Sequence, residues 1–269
     1  MLGTRHLPAA ARPPSPPAAS DRFRTYAPPA AFVLGVVALW QLGVRAFDVP
    51  AYLLPAPSEI VEALRDDWAL LASSTWVTVQ EMLLGFGLAA LVGVVLAVIL
   101  HLSPLLRRAV YPLLIASQAI PIVVFAPILV IVMGFNMWPK VTIVALVCFF
   151  PIVVSGVDGL GSVDRELVRM MITLHASRWA IFTRVELPSA LPPLFSGARV
   201  AATYAAIGAV FGEWAGSNEG LGHVILQASP TLATARIFAA GVVLTVMSLA
   251  LFAAVSLTER IVVPWAGER

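Results

Sequence analysis

Six runs of about twenty mostly apolar residues constrain what this chain can fold into, because each is long enough to cross the hydrocarbon core of a bilayer. They lie near residues 29–47, 75–100, 108–134, 138–157, 191–213 and 235–258. Composition agrees: 59% of the residues are hydrophobic and only 12% are charged, against roughly half and a quarter in soluble domains. The expected fold is an all-α polytopic membrane protein with six transmembrane helices. Pro121 and Pro127 fall inside the third run, where lost helix hydrogen bonds predict a kink or an interruption.

The flanks set boundaries and orientation. Residues 1–28 are rich in Pro and Ala, a composition that cannot bury a core, and they are expected as a disordered tail. That stretch is too long and too Pro-rich for the n-region of a cleaved signal, so the first apolar run reads as a retained anchor. The transmembrane domain then spans 29–260, with a polar loop at 160–190 and a short tail at 261–269. Six crossings put both termini on one side. Lys and Arg number twelve in the segments on that side and four in those on the other, so both termini and the 160–190 loop are expected in the cytoplasm. The single Cys148 excludes an intrachain disulfide, and His6, His101, His175 and His223 are too scattered for a metal site. No cofactor is expected, and nothing points to nucleic acid.

The segment from Asp164 to Leu194 is out of keeping with its apolar surroundings: it carries Arg165, Arg169, Arg178 and Arg184. Leu167, Met170, Met171, Leu174, Trp179 and Phe182 recur three to five residues apart between the charges, which predicts an amphipathic helical hairpin. Its apolar stripe needs a partner. One reading lays it on membrane lipid; the other docks it on a second protein, with Met171 and Trp179 as anchors.

His175, nine residues, then "VELP" ending at Pro188 resembles the EAA loop of ABC importer permeases, whose pattern is Glu-Ala-Ala, three residues, Gly, nine residues, Ile-x-Leu-Pro. The wider stretch "LHASRWAIFTRVELPSALPPLFSGARVA" is similar to the nitrate/sulfonate/taurine-type branch. Further matches are "LLPAPSEIVEAL" at 53–64, "GFGLAALVGVVLAVIL" at 85–100 and "GEWAGSNEGLGHVI" at 212–225. Together they cover most of residues 50–260 in the family's order.

The resemblance implies a type I ABC importer permease-like fold in a bacterial inner membrane, working as two permease subunits, two ATPase subunits and an external solute-binding protein. Arg169, Met170, Met171, His175, Ser177, Arg178, Trp179, Leu187 and Pro188 are the matching positions for ATPase coupling. The chain departs from the pattern where Arg169, Met170 and Met171 replace Glu-Ala-Ala and His175 replaces the turn Gly. The missing Glu removes one expected ATPase contact; a His at a turn needing positive φ is costlier than Gly, although it tolerates that region better than most residues. No G-x-x-x-x-G-K-[ST] sequence is present, so ATP hydrolysis is expected in a separate subunit.

Polar residues within spans are costly and tend to face a bundle interior or a cavity. Gln118, about ten residues into the third run and so roughly 15 Å deep, is a candidate for lining the pathway with Pro121, or for an interhelical hydrogen bond. Glu81 could line the mouth or sit at the interface. Asn136 fits a helix terminus. Arg199 can snorkel or pair across helices, and it is too far from Glu213 along the fifth run to pair with it. Glu213 and Trp214 precede the glycine-spaced "GSNEGLG"; a gating or substrate role, implied by similar permeases, stands beside interfacial anchoring and turn formation. An ion-coupled secondary transporter is the alternative function, but inverted repeats and coupling carboxylates at mid-membrane are not evident. An intramembrane enzyme lacks a nucleophile-base or metal motif. The stretch "AAIGAVFGEWAGSNEGLGHVILQAS" looks more like the hydroxymethylpyrimidine (thiamine-precursor) permeases than the sulfonate group.

Overall fold

The computed structural model describes residues 19–265, with side chains from residue 27 onward. Residues 1–18 and 266–269, parts of the two expected tails, lie outside the described residues. All regular structure among the described residues is helical. The first helix, α1, spans Ala19–Ala46 and so takes in residues 19–28 of the segment expected as tail. A short amphipathic helix, α2 (Pro57–Asp66), follows on the expected outer side, with the Glu59 carboxylate accepting the Ala56 N–H at 2.8 Å.

The central helices are α3 (Trp68–Leu102), α6 (Met137–Gly161) and α9 (Leu187–Trp214). Their contact is made by small side chains. Gly85, Ala89, Gly93 and Ala97 recur every four residues along one face of α3, and Ala201, Ala205 and Ala209 do so on α9. With little hydrophobic drive between helices in lipid, such seams let backbones approach and gain dispersion contact. A methyl on Gly93 would come within 3.0 Å of Ile152 on α6. Cys148 is fully buried in this core, its Sγ 3.3 Å from the Ala201 carbonyl.

The third apolar run is not one helix. It is α4 (Pro104–Ser117) and α5 (Ile122–Met133), bent by 98° at the break between them. Pro121, at the start of α5, ends the helical ladder, whereas Pro127 is carried inside α5 without a break. With that bent pair taken as one span, the helices supply up to six crossings. The last is α11 (Thr234–Val262), preceded by α10 (Leu221–Ala228) on the expected outer side.

A second, smaller core lies at the expected outer end. Ile60 of α2, Leu71 of α3, Leu221 and Val224 of α10, and Ala239 and Ala240 of α11 are buried together, with Trp40 of α1 packed against them. Polar ties frame it: Arg236 makes a forked contact to Asp67 at 2.6 and 2.8 Å, and Gln41 Oε1 accepts the Ser58 N–H at 3.0 Å.

Candidate functional site

The polar segment folds as the expected hairpin. Helix α7 (Arg165–Thr173) begins at Asp164, whose Oδ1 accepts the Glu166 N–H at 2.8 Å. The helix closes with the His175 N–H on the Ile172 carbonyl at 2.9 Å and the Ala176 N–H on the Met171 carbonyl at 3.0 Å. That bonding pattern is a Schellman motif, which places its turn residue in the left-handed region. His175 has φ +59°, so the position where the resembling loop has Gly is left-handed here too. Ser177 caps a single turn, α8 (Arg178–Ile181), by accepting the Ala180 N–H at 3.2 Å.

A π-helical turn (Phe182–Glu186) then joins α8 to α9, with the Leu187 N–H reaching back five residues to the Phe182 carbonyl. Pro188, the second residue of α9, has no N–H to offer Arg184, which suits a widened turn at this place.

Leu167, Met170 and Leu174 share one face of the hairpin and stand exposed with Trp179, the last at 69%. Arg169 and Arg178 are also exposed. Met171 is half-buried and Phe182 is buried, so neither presents a full side chain outward. Beside the hairpin a cleft of about 840 Å³ is lined by Asp164, Leu167, Arg184, Pro188 and Trp265. The arrangement offers an apolar ridge flanked by cations, on a segment with, among the described residues, one polar tie to another span: His101 Nε2, at the end of α3, lies 3.0 Å from Glu186 Oε2.

The second constellation is on the expected outer side, where Glu81 and Glu213 are both fully buried. Lys140, in the first turn of α6, brings Nζ to 2.7 Å from Glu81 Oε1 and donates to Ser217 Oγ at 2.9 Å. The Glu213 carboxylate accepts from Thr78 Oγ1 at 2.7 Å and from the Gly222 and His223 N–H groups of α10. Thr78 also accepts the Leu221 N–H at 2.9 Å, so α3, α9 and α10 meet on one hydroxyl. Gly220, before α10, has φ +103°, and a side chain there would run into the Glu213 carboxyl group. Trp214 Nε1 donates to the Gly222 carbonyl at 3.0 Å, a further tie between α9 and α10.

The candidate residues are thus distributed unevenly. Glu81, Glu213 and Trp214 come together, whereas Gln118 and Pro121 lie at the bend between α4 and α5, where Gln118 is exposed. The depth expected for Gln118 assumed one continuous helix, and the bend removes that assumption. Asn136 caps α6, accepting the Trp138 N–H at 2.8 Å. Arg199 pairs with Glu259 of α11. Sequence reasoning missed Thr78, Lys140 and Gly220; Lys140 figures there only as an outer-side charge, although a cation at the edge of a 20-residue apolar run could have prompted a search for its carboxylate.

The profile of the family described as "binding-protein-dependent transport system inner membrane component" matches residues 89–267. A formylaminopyrimidine transport permease of Halalkalibacterium halodurans is 36% identical over 88% of this chain and 95% of its own length. A riboflavin transport system permease of Chloroflexus aurantiacus is 36% identical, with 86% and 87% covered. The taurine transport system permease of Escherichia coli is 25% identical, with 85% and 86% covered. Among solved structures, the inward-facing MetNI methionine ABC transporter superposes with a TM-score of 0.57 at 17% identity, covering 71% of this chain and 96% of that one; it shares the fold.

Proposed function

The chain belongs to the family of binding-protein-dependent transport inner-membrane components, and from that premise we propose that it carries a small heteroaromatic nitrogen compound, of the pyrimidine thiamine-precursor kind, across the membrane. It is a multi-pass permease subunit of an ATP-driven importer, a transport component whose ATPase is a separate polypeptide. The substrate assignment rests on one observation: the relatives named for formylaminopyrimidine and riboflavin stand at 36% identity and the one named for taurine at 25%. The electrostatics support it. Lys140 of α6 and Arg199 of α9 are both matched to carboxylates, Glu81 and Glu259, which leaves neither of these two free to hold an anionic sulfonate.

In this reading two copies of the chain pair, each hairpin seats on one of two ATPase subunits, and both termini are cytoplasmic. Arg169, Met170, Met171, His175, Ser177, Arg178, Trp179, Leu187 and Pro188 form the docking segment. Of these, Met170 and Trp179 supply apolar contact, Arg169 and Arg178 supply charge, and Ser177 and His175 hold the turn. Glu81, Glu213 and Trp214 act at the outer gate by fixing α10 against α3 and α9, while Gln118 and Pro121 form the bend of the third span. The domain limits are those of a permease body at 29–260 with its coupling loop at 160–190.

The test is uptake in cells carrying the chain with its ATPase and binding protein. Labelled formylaminopyrimidine should accumulate in an ATP-dependent manner and labelled taurine should not. Accumulation of taurine alone would refute the substrate class.

A further inference from the structure

We propose that the His101–Glu186 contact is the joint through which the cytoplasmic hairpin drives α3, and that α3 carries this movement to the Thr78 contact at the outer face. The inference rests on the reading that the hairpin docks on an ATPase.

Three observations combine. First, the π-helical turn at Phe182–Glu186 lies between α8 and α9, and a wide turn in an otherwise continuous helix is a natural place to flex. Left alone, a hinge there would absorb a push on the hairpin. Second, the hinge is pinned. Glu186, its last residue, is held at 3.0 Å by His101 of α3, and both side chains are largely shielded, at 20% and 16% exposure. Aromatic rings continue the contact outward, with Trp179 stacked on Phe182 at 5.7 Å and Phe182 6.4 Å from the His101 ring. Among the described residues no other side-chain hydrogen bond or ion pair links the hairpin to a span.

Third, α3 is one unbroken helix of 35 residues with no proline within it. His101 and Thr78 are 23 positions apart on it, which is about 35 Å at the α-helical rise. Its inner end holds Glu186 and its outer end holds Glu213 and the Leu221 N–H. A pinned hinge at one end of a stiff rod makes a lever, and the outer load on that lever is α10. In this inference His101 and Glu186 act as positioning residues, through each other, with no part in binding nucleotide or solute.

The experiment uses the full chain co-expressed with its ATPase, carrying Cys148→Ala and Gln227→Cys so that a maleimide reports on α10, where Gln227 is exposed. Labelling rate is measured with and without MgATP and vanadate. In otherwise unsubstituted protein ATP should change the rate several-fold. His101→Leu and Glu186→Ala should abolish that change while the ATPase still co-purifies, and His101→Arg, which keeps a donor facing Glu186, should restore it. An undiminished response in His101→Leu overturns the joint while leaving docking intact. Loss of the ATPase in His101→Leu, with no rescue by His101→Arg, also overturns it, because the pair would then only fold the hairpin. Failure of the ATPase to co-purify with the unsubstituted chain overturns the docking reading and the joint with it.

Discussion

Lys140 Nζ sits 2.7 Å from Glu81 Oε1, in a pair whose carboxylate is fully shielded and whose lysine is 12% exposed. The pair joins α6 to α3 near the expected outer face, alongside a second buried carboxylate at Glu213. Removing one partner strands a buried charge, which typically costs about 3–5 kcal/mol, whereas replacing both with apolar groups can be neutral. Lys140→Met should therefore lower the thermal stability of the purified protein markedly, and Glu81→Leu combined with Lys140→Met should recover most of the loss. Equal stability of the single and double variants would remove the pair from the account.

Gly220 gives a second test of the same region. Its φ of +103° and the Glu213 carboxyl group in the path of any side chain make Gly220→Ala costly, by about 1–3 kcal/mol for the backbone alone. Gly241→Ala on α11, where an added methyl meets nothing within 4 Å, is the control and should leave the melting temperature unchanged or slightly raised. A harmless Gly220→Ala would mean that α10 can leave Glu213 at no cost.

The turn of the hairpin was open to inspection in the sequence because its spacing resembles a known loop, and the structure shows the histidine there in the left-handed conformation. At φ +59° a non-glycine residue carries a penalty of roughly 1–2 kcal/mol. His175→Gly should keep or raise stability and leave ATPase co-purification intact. His175→Val, β-branched in the left-handed region, should destabilise the hairpin and weaken ATPase association.

Trp179 tests docking itself. At 69% exposure its indole loses little beyond the stack on Phe182 when replaced, so Trp179→Glu should leave insertion intact and lower the melting temperature only slightly. The same change should reduce ATPase co-purification, because it puts a charge into an apolar contact. Unchanged association would return the hairpin to the lipid surface.

Orientation is checked by reporter fusions. Tags after Arg24 and near Leu160 should both register in the cytoplasm, and one near Asp66 should register outside, as the distribution of Lys and Arg requires. An external signal at Leu160 would invert the arrangement.

Apolar length and basic spacing made the spans, their approximate order and the hairpin legible, since both are one-dimensional properties of the chain. The break at Pro121 was legible for the same reason, but the sequence did not tell it apart from Pro127, which α5 carries inside its length. The outer cluster was half visible. Glu81 and Glu213 stand out as charges in apolar runs, yet Thr78 and Glu213 are 135 positions apart, and only the packing of α3 on α9 brings them together. The same holds for His101 and Glu186: neither the histidine at a span end nor the glutamate of "VELP" names the other.

In the orientation and assembly proposed above, the small core that joins Trp40, Ile60, Leu71, Leu221, Val224 and Ala239 has a consequence for recognition of an external carrier. Because α1, α2, α10, α11 and the tip of α3 share it, a visiting protein meets one assembled landing plate in place of four independent loops. The ordering entropy that such loops would otherwise surrender at each encounter has already been spent during folding. Docking and release can then be rapid and repeated, as a carrier loaded afresh in every cycle requires.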